Sequence, residues 1–386
     1  MELPTRPLLV LFLAIASSAC AGRQAHGRTP DVVALEELRI TARPEGGGYE
    51  FEAVDAETLF QRGLEAGRRA DCDAARAAYL RVVDEFPASR YVSASLYNAA
   101  LCFQQAGRLP DAAPLYERLL VQGGDARDVR HALFQLAAIE VRLERFDAAL
   151  ASADRLLALR DLDPDERMEA LARRAEALLG AGRWEEARRE AEGALRYFRT
   201  RPESAPVARD DFAALATFVL AETYRVEAHG IVVPAGEVTD QRAVLERRAD
   251  RVLEAQRLYF DTIRFRVPEQ AAAAGYRIGG LYEDFWEAIM AAPPPPPRDP
   301  ASIADPERFA AEYRLALARL AKPLIRHSIR YWEMALLLIE RNGVPSEWTD
   351  RIRTDLEHAR ERLSAQPDGP EGLPSTARAG AGPGGG

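Results

Sequence analysis

The sequence predicts an all-α protein, a solenoid of stacked helix–turn–helix units, and three observations predict it. First, one unit recurs four times between Ala56 and Phe198, with evenly spaced copies starting at Ala56, Ser93, Arg130 and Met168. Second, small residues hold fixed places in each copy. The eighth position is Gly63, Ala100, Ala137 and Ala175, and the twentieth is Ala75, Ala112, Ala149 and Ala187. Third, the twenty-fourth position is Tyr79, Tyr116, Ala153 and Ala191, and three copies turn at Gly107-Arg108-Leu109, Glu144-Arg145-Phe146 and Gly182-Arg183-Trp184. Small residues at those places let two helix backbones approach. A two-helix unit cannot bury its apolar face alone, so neighbours must stack, and the stack presents a binding surface.

The N-terminal segment, residues 1–19, reads as a signal peptide. Arg6 gives a positive start, Leu8 to Ile15 is an unbroken apolar run, and Ala16-Ser17-Ser18-Ala19 supplies small residues before Cys20. That run is far short of the about 20 residues a spanning helix needs. The stretch resembles a bacterial lipoprotein signal, although Ser17 stands where Leu is usual. The resemblance implies acylation of Cys20; ordinary secretory cleavage after Ala19 is the other reading. Ala21 follows the cysteine in place of an inner-membrane retention aspartate, which points to the outer membrane.

Residues 20–55 form a tether in which Leu38 to Ala42 and Tyr49 to Ala53 alternate apolar and polar residues. They make either a small hairpin or a flexible link. Four units fill residues 56–199, each with apolar residues at helical spacing, as at Leu96, Ala99, Ala100 and Phe103. One or two expanded units occupy 205–291. There a long helix from Asp210 to Ala228 is joined by a loop at Gly230 to Val238 to a helix in which Ala255 and Tyr259 stand four apart. Pro268 opens a further helix, where Tyr276, Gly279 and Tyr282 echo a first helix.

A Pro-rich linker at 292–304 follows, with Pro293 to Pro297 stopping any helix and acting as a stiff spacer. Helices at 305–364 then cover the end of the solenoid. Asp305 caps the first of these helices, Lys322-Pro323 kinks it near Ala321, a second segment ends at Asn342-Gly343, and Ser346 caps the last. Residues 365–386 are rich in Gly, Pro and Ala and are expected to lack structure.

Composition excludes some partners. The net charge is −9, from 51 basic and 60 acidic residues, and no basic run lacks interleaved acids. A phosphate-binding face is therefore not expected, and nucleic acid is excluded as a partner. His26, His131, His229, His327 and His358 lie apart from metal-ligand spacing, so no metal is expected. No nucleophile elbow, phosphate-cradling loop or paired-carboxylate motif is present, so neither a catalytic residue nor a cofactor is expected. Cys72 and Cys102 fall at the same end of neighbouring helices. They make either a disulfide between adjacent units or two buried thiols.

Residues 56 to 198 resemble the tetratricopeptide repeat family. The segment Glu85-Phe86-Pro87-Ala88-Ser89, followed by Leu96-Tyr97-Asn98-Ala99-Ala100, is similar to its bacterial envelope branch of outer-membrane lipoproteins and periplasmic coordinators. The resemblance implies a right-handed TPR-like α-solenoid with a C-terminal helical extension. It also implies that first helices line a concave face through Phe60, Leu64 and Arg68; Tyr97, Leu101, Gln104 and Gln105; Phe134, Val141 and Arg142; and Glu176. The function it implies is a non-enzymatic, lipid-anchored scaffold that binds envelope proteins or peptides. The alternatives are a periplasmic chaperone for outer-membrane chains or an envelope hydrolase or transferase.

Overall fold

The computed structural model describes residues 37–45, 48–296, 305–343 and 348–365. They fall into two units, within residues 1–55 and 56–386, and each is taken by itself. The signal segment, Cys20, Ser346 and the tail beyond 365 lie outside the described residues.

In the first unit the two alternating stretches are the strands of a hairpin. Strands β1 (Leu38–Glu45) and β2 (Gly48–Asp55) pair antiparallel, with Leu38 opposite Asp55, Ala42 opposite Phe51 and Glu45 opposite Gly48. Both strands run longer than the alternating stretches alone.

The second unit is an all-α solenoid. Its first four helix pairs are α1 (Ala56–Arg68) with α2 (Cys72–Glu85), α3 (Val92–Gln105) with α4 (Leu109–Gln122), α5 (Ala126–Arg142) with α6 (Phe146–Leu157), and α7 (Pro164–Gly180) with α8 (Trp184–Thr200). The repeated small residues are its seams: Ala75, Ala100, Ala112, Ala137, Ala149, Ala175 and Ala187 are fully buried. A Cβ added to Gly63 would stand 2.4 Å from the Tyr79 ring, so the first copy pairs glycine with tyrosine where the third and fourth pair alanine with alanine; the second pairs Ala100 with Tyr116.

All four tight turns share one geometry. Ala70, Gly107, Glu144 and Gly182 adopt left-handed backbone with φ between 58° and 75°. The next N–H then reaches back into the last turn of the first helix, as Arg108 N to Phe103 O at 2.9 Å and Arg145 N to Glu140 O at 2.8 Å. This Schellman-type closure satisfies the carbonyls a helix end leaves free. Glycine is the cheapest residue there and serves twice. Ala70 and Glu144 take the same conformation at a cost of roughly 1 kcal/mol each.

A fifth pair, α9 (Asp211–Gly230) and α10 (Val238–Arg264), is joined by residues 231–237 in place of a tight turn. Side chains hold this longer connection. The buried Arg248 donates to Ile231 O at 2.8 Å and Asp284 O at 3.1 Å, and Gln241 Nε2 donates to Pro234 O at 3.1 Å and Pro293 O at 2.8 Å.

The sixth pair corrects the predicted domain division. Helix α11 (Pro268–Ala291) packs lengthwise on α12 (Pro306–Asn342), so residues 306–342 complete a repeat rather than form a separate extension. Gly279, Ser328 and Trp332 restate the eighth, twentieth and twenty-fourth positions. Ser328 Oγ donates to Gly279 O at 2.5 Å, and Trp332 Nε1 donates to Tyr276 O at 2.9 Å. Helix α12 runs unbroken through Pro323, the place where a kink is expected. Proline removes one backbone bond. The buried face of Ile325, Ser328 and Trp332 carries the helix through it. Asp305 caps α12, accepting from Glu307 N and Arg308 N, and Gly343 ends it with φ 62°. Helix α13 (Trp348–Ala365) packs on α11 and α12 and buries Ile352, Leu356 and Ala359.

The odd-numbered helices from α3 to α13 also touch their next-but-one neighbours. They therefore form one layer of the solenoid, and the even-numbered helices up to α12 form the other. Among the described residues no helix is long and apolar enough to cross a membrane.

Candidate functional site

Side chains on the odd-numbered helices form a polar ladder that recurs at two places. In the second repeat Gln104, at the twelfth position, accepts from Tyr116 Oη at 3.1 Å and donates to Gln135 Oε1 on α5 at 2.8 Å. In the fifth repeat Glu222 occupies the equivalent place. It accepts from the Tyr259 hydroxyl, pairs with Arg225 at 2.9 Å, and meets Arg277 on α11 at 3.0 Å. Each rung thus joins the aromatic residue of its own second helix to the first helix of the next repeat.

The two rungs differ in charge. Burial pushes the Glu222 carboxyl up, but Arg225 and Arg277 outweigh burial and hold it below the usual carboxylate range. Burial and the Glu222 charge push Tyr259 well up, so its hydroxyl stays protonated and donates. Two guanidinium groups on one carboxylate leave this rung net positive. The rung at Gln104 is neutral. Between them, Arg173 pairs with Glu176 at 2.9 Å, and burial lifts Glu169 to about 6 against the pull of Arg173 and Arg209.

The predicted contact residues separate into three groups. Tyr97, Leu101 and Gln104 are half-buried on α3. The Tyr97 ring lies 5.6 Å from Tyr116, edge to face, and 6.0 Å from His131. Burial raises the Tyr97 hydroxyl, and a hydrogen bond with Gln135 offsets part of that. These residues form one patch with the Gln104 rung. Phe60 and Leu64 are half-buried on α1, where the Phe60 ring stacks on Tyr91 at 5.1 Å. Arg68, Gln105 and Arg142 are exposed in the last turns of α1, α3 and α5; Val141 and Glu176 are more enclosed.

Phe134 is a correction. Its ring is only 8% exposed and packs with Leu133, Leu156 and Ala170, so it builds the core and offers no contact area. It shares the fifth position with Tyr97, but the Leu156 side of the next helix covers it.

Cys72 and Cys102 are free thiols set against each other. Cys72 Sγ donates to Gln105 Oε1 at 3.3 Å. Burial, then the neighbouring Cys72, pushes the Cys102 thiol up to about 12.

Sequence reasoning missed Glu222, Arg225 and Arg277. The signal was an acid closing the apolar run Phe212 to Ala221. Its partners Tyr259 and Arg277 stand on other helices and meet it only in the fold.

No family model matches the chain, and no curated protein matches it. Solved structures are similar to it at low identity. A tetratricopeptide repeat protein from Parabacteroides merdae is 14% identical over 79% of this chain and 98% of that one, with a TM-score of 0.40. The apo form of RapI is 10% identical over 80% and 98%, with a TM-score of 0.43. A MamA fragment from Desulfovibrio magneticus is 12% identical over 53% and 94%, with a TM-score of 0.36.

Proposed function

We propose that this chain is a non-enzymatic scaffold that holds protein partners of the bacterial envelope against its odd-numbered helices. The single observation that carries the reading is the patch of Tyr97, Leu101 and Gln104. A half-exposed ring and an aliphatic side chain stand beside an amide fixed at both ends by hydrogen bonds. A rigid aromatic contributes contact area at small entropic cost, and a fixed amide offers donors and acceptors to a peptide backbone. Cys20, beyond the described residues, supplies the tether in this reading, through acylation after signal removal at the outer membrane.

The test is photo-crosslinking in cells from Leu101→p-benzoylphenylalanine, with the same probe at Leu253, an exposed residue of α10 on the other layer. The expected result is one or a few discrete adducts from position 101 and none of them from 253. Tyr97→Ala should abolish those adducts while the circular-dichroism spectrum stays that of the folded chain. Identical adducts from both positions would overturn the reading. A continuous smear of adducts would replace it with a chaperone that binds many unfolded chains.

A further inference from the structure

The hairpin turns an apolar face to solvent. Its register places Leu38, Ile40 and Ala42 of β1 on the same side as Tyr49, Phe51 and Ala53 of β2. The four large members are 59%, 64%, 70% and 69% exposed, in the order Leu38, Ile40, Tyr49 and Phe51. A two-stranded ribbon is marginal in water even when one face is covered, and contiguous exposed apolar area marks a contact surface.

Two facts select what covers it. The first is chain length. Only a short link separates Leu38 from Cys20. A chain of that length cannot exceed about 60 Å. An acyl anchor on Cys20 therefore keeps the hairpin within that reach of the lipid surface. The second is composition. The hairpin carries Arg39 and Arg43 against Glu45, Glu50, Glu52 and Asp55, a net charge of −2. Attraction to anionic headgroups is thus excluded, and the face must act through aromatic and aliphatic area. Tyrosine and phenylalanine beside aliphatic residues suit the boundary between headgroups and acyl chains. A second copy is a poorer fit, because four large side chains fall short of the roughly 800 Å² per side of a standard interface.

The geometry points to the apolar hairpin face lying on the neutral bilayer interface beside the lipid anchor, as a second membrane contact. This rests on the proposed acylation of Cys20. Apolar contacts next to an anchor add to its hold and fix the orientation of the chain beside it.

The test tethers the chain from residue 20 onward to nickel-chelating phosphatidylcholine vesicles through an N-terminal histidine tag. Phe51→Trp adds a fluorophore on the apolar face, and Thr41→Trp adds one on the opposite face. Difference fluorescence against the wild-type chain isolates each. With lipids brominated along the acyl chain, the signal added by Phe51→Trp should fall about twofold and that of Thr41→Trp should not change. No quenching at either site, or equal quenching at both, would overturn the inference. So would a concentration-dependent blue shift of the Phe51→Trp signal without vesicles, which would mark pairing of two copies. Mass spectrometry of the native N-terminal peptide separates the two levels. An unacylated Cys20 overturns the anchor and the hairpin's membrane setting with it. An acylated Cys20 with an unquenched Phe51→Trp signal overturns the hairpin's role alone.

Discussion

Trp332 lies so close on Gly279 that a Cβ there would stand 2.3 Å from the indole Nε1. The sixth repeat therefore closes as the first does, where Tyr79 lies on Gly63. Gly279→Ala would push the fully buried indole away from the Tyr276 carbonyl to which it donates. The expected cost is about 2–3 kcal/mol from overpacking and a strained hydrogen bond. Gly280, with open space around its Cα, is the control. Gly280→Ala should stabilise α11 by about 0.5–1 kcal/mol through helix propensity. Urea unfolding followed by circular dichroism would measure both.

Glu222 and Arg277 join the fifth and sixth repeats across a buried contact. Glu222→Gln leaves Arg225 and Arg277 facing a neutral amide and should cost about 3 kcal/mol at neutral pH. Glu222 titrates below the usual carboxylate range in the folded protein. A depressed folded value means that its contribution is present above the unfolded carboxylate range and is lost as pH falls through the folded value. The stability gap between wild type and Glu222→Gln should accordingly narrow on acidification. A gap independent of pH would show that the charge has no such role.

Glu169 has the opposite sign. Its folded value of about 6 lies above the usual 4.5, so the folded state favours the protonated form. Stability from this group is full below the unfolded value and is lost as pH rises from about 4.5 through 6. Glu169→Gln should raise stability by about 1 kcal/mol at pH 7.5, after allowance for solvent screening, and by nothing measurable at pH 4. Thermal melts at the two pH values would check it.

Cys72 and Cys102 should titrate with alkylating reagent at different rates. The Cys102 thiol, buried and raised to about 12, is almost wholly protonated at pH 8. Only thiolate reacts, so iodoacetamide should modify the partly exposed Cys72 first and Cys102 only on unfolding. With both thiols free, the melting temperature of the wild type should be the same with and without reductant. A drop in reductant that Cys72→Ser abolishes would instead reveal a disulfide.

The sequence by itself determined the repeat. Even spacing of the copies, alanines at seams and polar breaks fix helices and their pairing, because an amphipathic helix has one face to bury and a short turn leaves it one neighbour. The hairpin was half legible, since alternation marks strands but cannot say that they pair. What only the tertiary structure decided depends on contacts between residues far apart in the chain. Ser328 and Trp332 complete a repeat begun by Gly279, but the segment between α11 and α12 hides the spacing. Phe134 and Tyr97 share a position, yet neighbouring helices bury one ring and leave the other half open. Glu222 and Arg277 belong to different repeats and face each other only because consecutive first helices stack side by side. Periodicity encodes which face of a helix is buried; the packing of the next repeat decides which side chains on that face remain free to act.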